Sequence, residues 1–493
     1  ASELSKRGVE VTVFEMGRGP GGRSATRLQQ DGRLFDHGAP FFAVSETETA
    51  NGSEETASRM SKEFEHIVED WVKDGVVALW QARHGTFKNG GFCPQEGNKV
   101  YCGVGGMHML GRHLSSREGI TFVPSCRVSK VDLLKEAHEG GEKEGTNPGG
   151  AKWKLWRWPF HLHRPPPANS ASASAQPTSA SIDQTKMESN GLKEALTAGH
   201  ENLDSVLEDL GTFDGLLIAD RLPLMTGTPG SLDVSEGGPL LLLLQRTFGN
   251  VLDALPAFTL AVSFPRALQE VPFDRASVSV SFTTGQDRAN IPESSTDEAG
   301  KRDCSSPASS ALLSLLVRDS SKPGHQTEDG SEIWVIHSSR QFAAEALAKT
   351  PLQKDGKYQP PSAEATAKAS ETLLSAFLDY LSPFFGHKRD TIPCSQVLSL
   401  QRWGGAFPQR PHRSAFPCSS KYGEVKTGEQ LLFARIGEEL NKSMKRSDGF
   451  LSGDPDQCGR VVVCGDFLLE ASVEGAAVSG RRAAARLAGL VQN

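Results

Sequence analysis

Val9-Glu10-Val11-Thr12-Val13-Phe14-Glu15-Met16-Gly17-Arg18-Gly19-Pro20-Gly21-Gly22-Arg23 is the stretch on which the fold turns. Valines at 9, 11 and 13 with Phe14 last predict a short buried strand, and Glu15 closes it with an acid. Upstream, Ala1 to Gly8 (ASELSKRG) sets Ala1, Leu4 and Ser5 on one face and stops at a glycine, which predicts the last turns of a helix. Helix, glycine stop, strand and terminal acid make the second half of a β-α-β unit. In a dinucleotide-binding unit that acid accepts the adenosine ribose hydroxyls, although an ordinary β-α-β reads the same up to Glu15. Two adjacent glycines then follow, Gly21 and Gly22. They let backbone N–H groups approach a pyrophosphate, and an arginine beside them, Arg18 or Arg23, can pair with it.

Working outward, Phe35-Asp36-His37-Gly38-Ala39-Pro40-Phe41-Phe42 places small residues, Gly38 and Ala39, between aromatics, so that a flat ring can lie against the backbone. His37 reads two ways, as a hydrogen-bonding group near such a ring or its substrate, or as a turn cap. A glycine-rich G-x-G-x-x-G turn belongs about 20 residues before the acid, and only 14 residues precede Glu15. The expectation is a chain truncated at its start, whose sheet has an unfilled central position and which holds a nucleotide poorly. Gly103-Val104-Gly105-Gly106-Met107 does not replace the turn, because its spacing is GxGGM and no acid-ended strand stands at the right distance.

The chain has 493 residues, two or three units at about 150 residues each. Lys+Arg total 53 against 60 Asp+Glu, a net charge of −7, which excludes a basic nucleic-acid surface. The longest aliphatic run, Leu240 to Leu244, is far short of the roughly 20 residues of a membrane helix. Eight cysteines without a C-x-x-C pair exclude a disulfide scaffold or zinc ribbon, so Cys93, Cys102 and Cys126 are expected as buried thiols. His161-x-His163 lacks completing ligands, so no metal is expected, and no G-x-S-x-G elbow marks a hydrolase. Phe64 to Trp80 has helical core spacing. At 37% the hydrophobic content is below the usual 45–50% or so, and the polar blocks 136–150, 161–205, 285–310 and 321–331 are expected to be disordered. What remains is a soluble, intracellular globular protein, with a plastid location compatible.

Taken together, the quoted motifs resemble the flavin-containing amine oxidase superfamily, and within it the renalase-like NAD(P)/FAD-dependent oxidoreductases. The likeness returns near the C-terminus, where Val461-Val462-Val463-Cys464-Gly465-Asp466-Phe467 is a buried strand ending in Gly-Asp, and Ser472-Val473-Glu474-Gly475-Ala476-Ala477 opens a long helix. About half the chain carries it. It implies an α/β fold: a three-layer Rossmann-like FAD-binding domain from 1–44, 103–220 and 457–493, plus a mixed, largely antiparallel substrate domain from 45–102 and 221–456. It further implies that Gly465 and Asp466 approach the ribityl and pyrophosphate part of FAD, and that Val473, Gly475 and Ala476 face the flavin pyrimidine. By the same resemblance Val128 contacts the adenine, Ala219 lies close to the cofactor, and Trp403 in Gln401-Arg402-Trp403-Gly404-Gly405-Ala406-Phe407-Pro408 stands near the flavin face, with His37. The implied cofactor is non-covalent FAD. The implied chemistry is hydride transfer from a small molecule, NAD(P)H or an isomer first and an amine second, to flavin N5 with O2 as acceptor. A flavin desaturase or isomerase of an apolar substrate, and a truncated non-catalytic remnant, are the alternatives.

Overall fold

The computed structural model describes residues 1–44, 54–88, 91–95, 99–134, 151–158, 207–225, 231–249, 254–278, 312–354, 357–409, 428–446 and 448–492. The chain opens with the helix Ser2–Ser5, turns at Gly8 and enters the strand Val11–Phe14. That strand pairs in parallel with Ile120–Val123, Val11 facing Ile120 and Phe14 facing Val123. A second plate holds Leu216–Ile218 parallel to Val461–Cys464, with Phe450–Ser452 antiparallel on its far side. Among the described residues no ladder joins the two plates. Side chains join them instead. Val11 and Leu217 pack in one small core with Leu4, Val462, Ala484 and Leu487, and Phe14 meets Phe213 edge to face at 5.8 Å. The helix Val473–Val491 covers one side of the plates; the meander Lys130–Leu134, Lys152–Arg157, Glu208–Phe213 covers the other through Val131, Trp153 and Leu155. The result is three layers, with apolar strands buried between two covers.

The second body is a seven-stranded sheet in the order Gln396–Pro408, Ala254–Phe264, Glu332–Ser338, Leu313–Arg318, Arg275–Val278, His84–Lys88, Gly91–Gln95. Every pair is antiparallel except Arg275–Val278 with His84–Lys88. Alternation sorts its faces. Phe258, Leu260, Val262, Trp334 and Ile336 point to one side and pack with Leu373 and Phe377 of the helix Ala363–Leu381. Ala261, Ile333, Val335 and Val317 point to the other, against Phe35, Phe42 and the helix Glu54–Lys73.

Four expectations need correction. The helix anticipated through Trp80 stops at Lys73, turns at Gly75 and becomes the strand Val77–Leu79, although Phe64, Trp71 and Trp80 share one core. Gly238–Phe248, Gly428–Arg446 and Phe450–Ser452, assigned with 221–456 to the substrate domain, pack instead on Leu216–Ile218 and Val461–Cys464 through Leu240, Leu244, Phe433 and Leu451. Their apolar faces find cover there irrespective of chain order. Residues 321–331 are ordered rather than disordered, with Lys322 and His325 at 0% and 2% exposure. Composition registers apolar area and is blind to the charge pairing that orders this block. Cys93 is exposed, while Cys102 and Cys126 are buried. Residues 136–150, 161–205 and 285–310, with His161 and His163, lie outside the described residues. Among the described residues no helix is long and apolar enough to cross a membrane.

Candidate functional site

Glu15 ends its strand with the carboxylate folded onto its own turn, Gly17 N–H donating to Oε1 at 2.6 Å. Ser125 N–H donates to the Gly17 carbonyl and Cys126 N–H to that of Glu15 (2.8 and 2.9 Å), so the segment leading to Val128 lies beside the acid. Val128 and Phe14 pack against the same core. Arg18 is exposed at the rim. Gly21 and Gly22 take φ of +120° and +50°, conformations that L side chains avoid, and Ser24 N–H closes the turn on the Gly21 carbonyl at 2.8 Å.

Beyond the turn the two ends of the chain meet. Arg23 donates both arms of its guanidinium to Asp466, Nη1 to Oδ2 at 2.6 Å and Nη2 to Oδ1 at 2.7 Å, and Nη1 reaches the Ala406 carbonyl at 3.3 Å. Burial works against the charged guanidinium, but the Asp466 hydrogen bonds and charge win and raise its pKa above the ordinary value. The arginine fork is therefore engaged by Asp466, while Arg18 stays exposed on the turn. Gly465 precedes Asp466, and a Cβ there would lie 3.7 Å from the Ala219 carbonyl, so Ala219 adjoins the same joint. Ser472 caps the helix Val473–Val491, its Oγ accepting from Gly475 N–H at 2.9 Å. Val473 is half-buried, Gly475 is buried and Ala476 is exposed.

Opposite, the segment from His37 to Phe41 is laced to the glycine turn: Gly38 N–H donates to Ala25 O (3.1 Å) and Ala39 N–H to Arg23 O (2.8 Å). The His37 ring stacks on Trp403 with centroids 5.5 Å apart at 30°, and Trp403 Nε1 donates to the His37 carbonyl at 2.9 Å. Burial and then the Arg27 cation hold His37 down at about 4, so its ring is neutral at pH 7. Its Nδ1 is sealed and has no hydrogen-bond partner among the described residues.

Beneath this segment lies a charge network that sequence reading missed. Asp36 Oδ1 accepts from Thr26 Oγ1 (2.5 Å) and Met107 N–H (2.9 Å), and Oδ2 accepts from Lys322 Nζ (2.8 Å). Lys322 Nζ also bonds Asp319, whose Oδ2 meets His325 Nδ1 at 2.6 Å. The side chains of Asp36, Asp319, Lys322 and His325 expose nothing to solvent. Asp36, Asp319 and His325 stand close enough to share a cation, and the Lys322 ammonium already fills that position. Burial pushes Asp319 up, but Lys322 and His325 outweigh it and hold its pKa at about 2; burial pulls Lys322 down and the two carboxylates raise it. Asp36 was legible only as a residue between Phe35 and His37. Lys322, Asp319 and His325 had no sequence signal, because their partners are distant along the chain.

These values fix an acid response. His37, and likewise His337 on the strand Glu332–Ser338, titrate near 4 when folded and near 6.5 when unfolded. The unfolded chain thus binds protons first, and stability is expected to fall between about pH 6.5 and 4. Asp319 is depressed, so its contribution is present above roughly pH 4 and is lost toward 2. Urea midpoints measured from pH 7.5 down to 4 should decline, and His37→Gln should flatten that decline; an unchanged slope would exclude His37 as a source.

A separate apolar cavity of about 550 Å³, lined by Phe87, Phe92, Pro94, Pro272 and Phe384, opens at the Gly91–Gln95 side of the large sheet. Trp403 belongs to the opposite edge strand.

The sequence pattern of a family described as an NAD(P)-binding Rossmann-like domain matches residues 1–52. The chain thus carries a Rossmann-like nucleotide-binding element in that stretch, joined to a large, mostly antiparallel sheet. Among solved structures, the crystal structure of an oxidoreductase from Methanosarcina mazei aligns over 80% of this chain at 10% identity with a TM-score of 0.32. The chain covers 56% of that protein's length.

Proposed function

We propose that this chain is a flavin-dependent oxidoreductase that holds FAD non-covalently and oxidises a small molecule, with NAD(P)H or an isomer the first substrate class, an amine the second, and O2 the acceptor. The observation that carries the reading is the Arg23–Asp466 fork, which joins the glycine turn to the Gly-Asp strand end beside the capped helix. The donor set fits such a group. Glu15 suits a ribose diol, and Gly21, Gly22 and Arg18 suit a pyrophosphate. The small, half-buried Ala39 suits the approach of a flat ring, and the start of Val473–Val491 offers a helix N-terminus to the electron-rich end. A bound flavin supplies a two-electron acceptor that takes a hydride from a substrate C–H and passes the electrons to O2.

The chain's own residues then orient and exclude water. Trp403 stacks on the neutral His37 ring and donates to its carbonyl, which fixes that residue beside Gly38 and Ala39. The apolar cavity at Phe87 and Phe92 lies at the other edge of the sheet from Trp403, which speaks against a desaturase with a long apolar substrate. The test is to titrate the purified chain with FAD, following flavin absorption near ~450 nm, and then to add NADH or NADPH under air while assaying peroxide. Arg23→Ala is expected to weaken FAD uptake at least tenfold. A wild-type chain that stays colourless at saturating FAD overturns the reading.

A further inference from the structure

Among the described residues, the edge strand Gly91–Gln95 pairs with His84–Lys88 alone, Phe92 opposite Phe87 and Pro94 opposite Gly85. Six inter-strand steps of about 4.8 Å, roughly 29 Å in all, separate it from the edge strand that carries Trp403. Alternation sets Phe87, Phe92 and Pro94 on one face. Gly85 permits their packing: a Cβ there would stand 2.6 Å from the Phe92 ring, so the ring lies directly on bare backbone. Behind Phe92, Phe273 stacks on it with centroids 4.9 Å apart at 27°, and Phe384 meets Phe273 edge to face at 5.9 Å.

Phe87, Phe92, Pro94, Pro272, Pro383 and Phe384 thus bound the cavity of about 550 Å³, a size within the roughly 300–1,000 Å³ of small-molecule sites. Its walls come from three separate segments and consist of packed rings with few rotatable bonds, so little order has to be gained when a ligand arrives. One charged side chain reaches it. Arg83 lines the cavity with its guanidinium engaged along one edge, Nε donating to Asp274 Oδ2 at 3.0 Å and Nη2 to Oδ1 at 2.8 Å. Its Nη1 makes no hydrogen bond among the described residues, and the side chain is 55% exposed against 10% for Asp274. No Asp or Glu is among the described residues that line the cavity.

We propose that this cavity is a ligand site separate from the flavin region, and that it takes an aromatic carboxylate, the ring against Phe92 and Phe384 and the carboxylate on the outer edge of the Arg83 guanidinium. Aromatic walls suit a flat apolar body through offset and edge-on contacts. The head group follows from charge. A carboxylate accepts from Nη1 and gains a charge-assisted hydrogen bond. An ammonium meets the Arg83 cation with no lining acid to receive it, and a neutral amide gains the walls without the ion pair. Because Arg83 is half in solvent, the gain is modest, about fivefold in affinity. The assignment does not rest on the flavin reading, since neither the walls nor Arg83 belongs to the glycine turn or the Gly-Asp strand end.

Cinnamate, cinnamamide and cinnamylamine carry the three head groups on one aromatic body, and calorimetric titration of the protein with each, with and without FAD, tests the site. Cinnamate is expected to bind about fivefold more tightly than cinnamamide, with cinnamylamine weakest and FAD without effect on the ranking. Arg83→Gln should bring cinnamate down to the affinity of cinnamamide, while Phe384→Ala should weaken all three by a similar factor. Raising sodium chloride to about 0.5 M on the unaltered protein should erase most of the cinnamate advantage and leave cinnamamide unmoved, a check that needs no variant to fold. Equal affinities, tightest binding of cinnamylamine, no binding of any of the three, or a cinnamate preference that survives both Arg83→Gln and high salt would overturn the site.

Discussion

Lys322→Met is expected to lower the free energy of unfolding by about 3–5 kcal/mol, the cost of stranding buried charge when one partner of an ion pair is removed. Methionine keeps the length of the side chain and takes away the ammonium that faces Asp36 at 2.8 Å and also pairs with Asp319. Both carboxylates would then sit at zero exposure with only the His325 ring beside them. Adding Asp319→Asn removes one of the two stranded charges and should return part of the loss, so the double-mutant cycle reads the coupling directly. Urea unfolding of the four proteins gives the answer. A loss below about 1 kcal/mol for Lys322→Met, the range of exposed ion pairs, would mean that the network is not closed to water as described.

The second large effect is at Gly38. A Cβ there would stand 1.9 Å from the Arg23 carbonyl oxygen and 2.8 Å from the Ala25 nitrogen, both backbone atoms that cannot swing aside. Gly38→Ala must therefore part the two segments and stretch the bonds from Gly38 N–H to Ala25 O and from Ala39 N–H to Arg23 O. The expected cost is about 3 kcal/mol, the upper part of the overpacking range, with FAD uptake falling at least tenfold. Gly19→Ala is the matched control, because nothing lies within 4 Å of its added Cβ, and it should stay within about 0.5 kcal/mol of wild type. Equal behaviour of the two alanine variants would dismiss the close approach at Gly38.

What could be read from the sequence was what local rules impose. Val11 to Glu15, the Gly21–Gly22 turn and Gly465–Asp466 announce themselves because strand-end acids and positive-φ glycines are properties of a few consecutive residues. The charge network and the walls of the Phe92–Phe384 cavity could not be read that way. Lys322 lies 286 residues from Asp36, inside a block whose polar composition argued for disorder. Phe92, Pro272 and Phe384 line one cavity only because three segments far apart in the chain meet there, and no pattern within any of them contains the others. The assignment of Gly428–Arg446 to the substrate domain failed for the same reason: amphipathic helices advertise that they need a cover and not which surface provides it.

The Arg23–Asp466 fork has a thermodynamic consequence. It ties the glycine turn to the Gly465–Asp466 strand end through a guanidinium that is still 41% exposed, so this corner is a small cooperative unit whose opening costs less than unfolding the whole. A ligand gripping both plates would have to draw that unit into its closed population before reaching full affinity, and the observed dissociation constant would be the intrinsic one divided by the closed fraction. Occupancy and local order would then be two readouts of a single equilibrium, and substitutions far from the ligand that tighten Phe14 against Phe213 would sharpen binding without adding a contact.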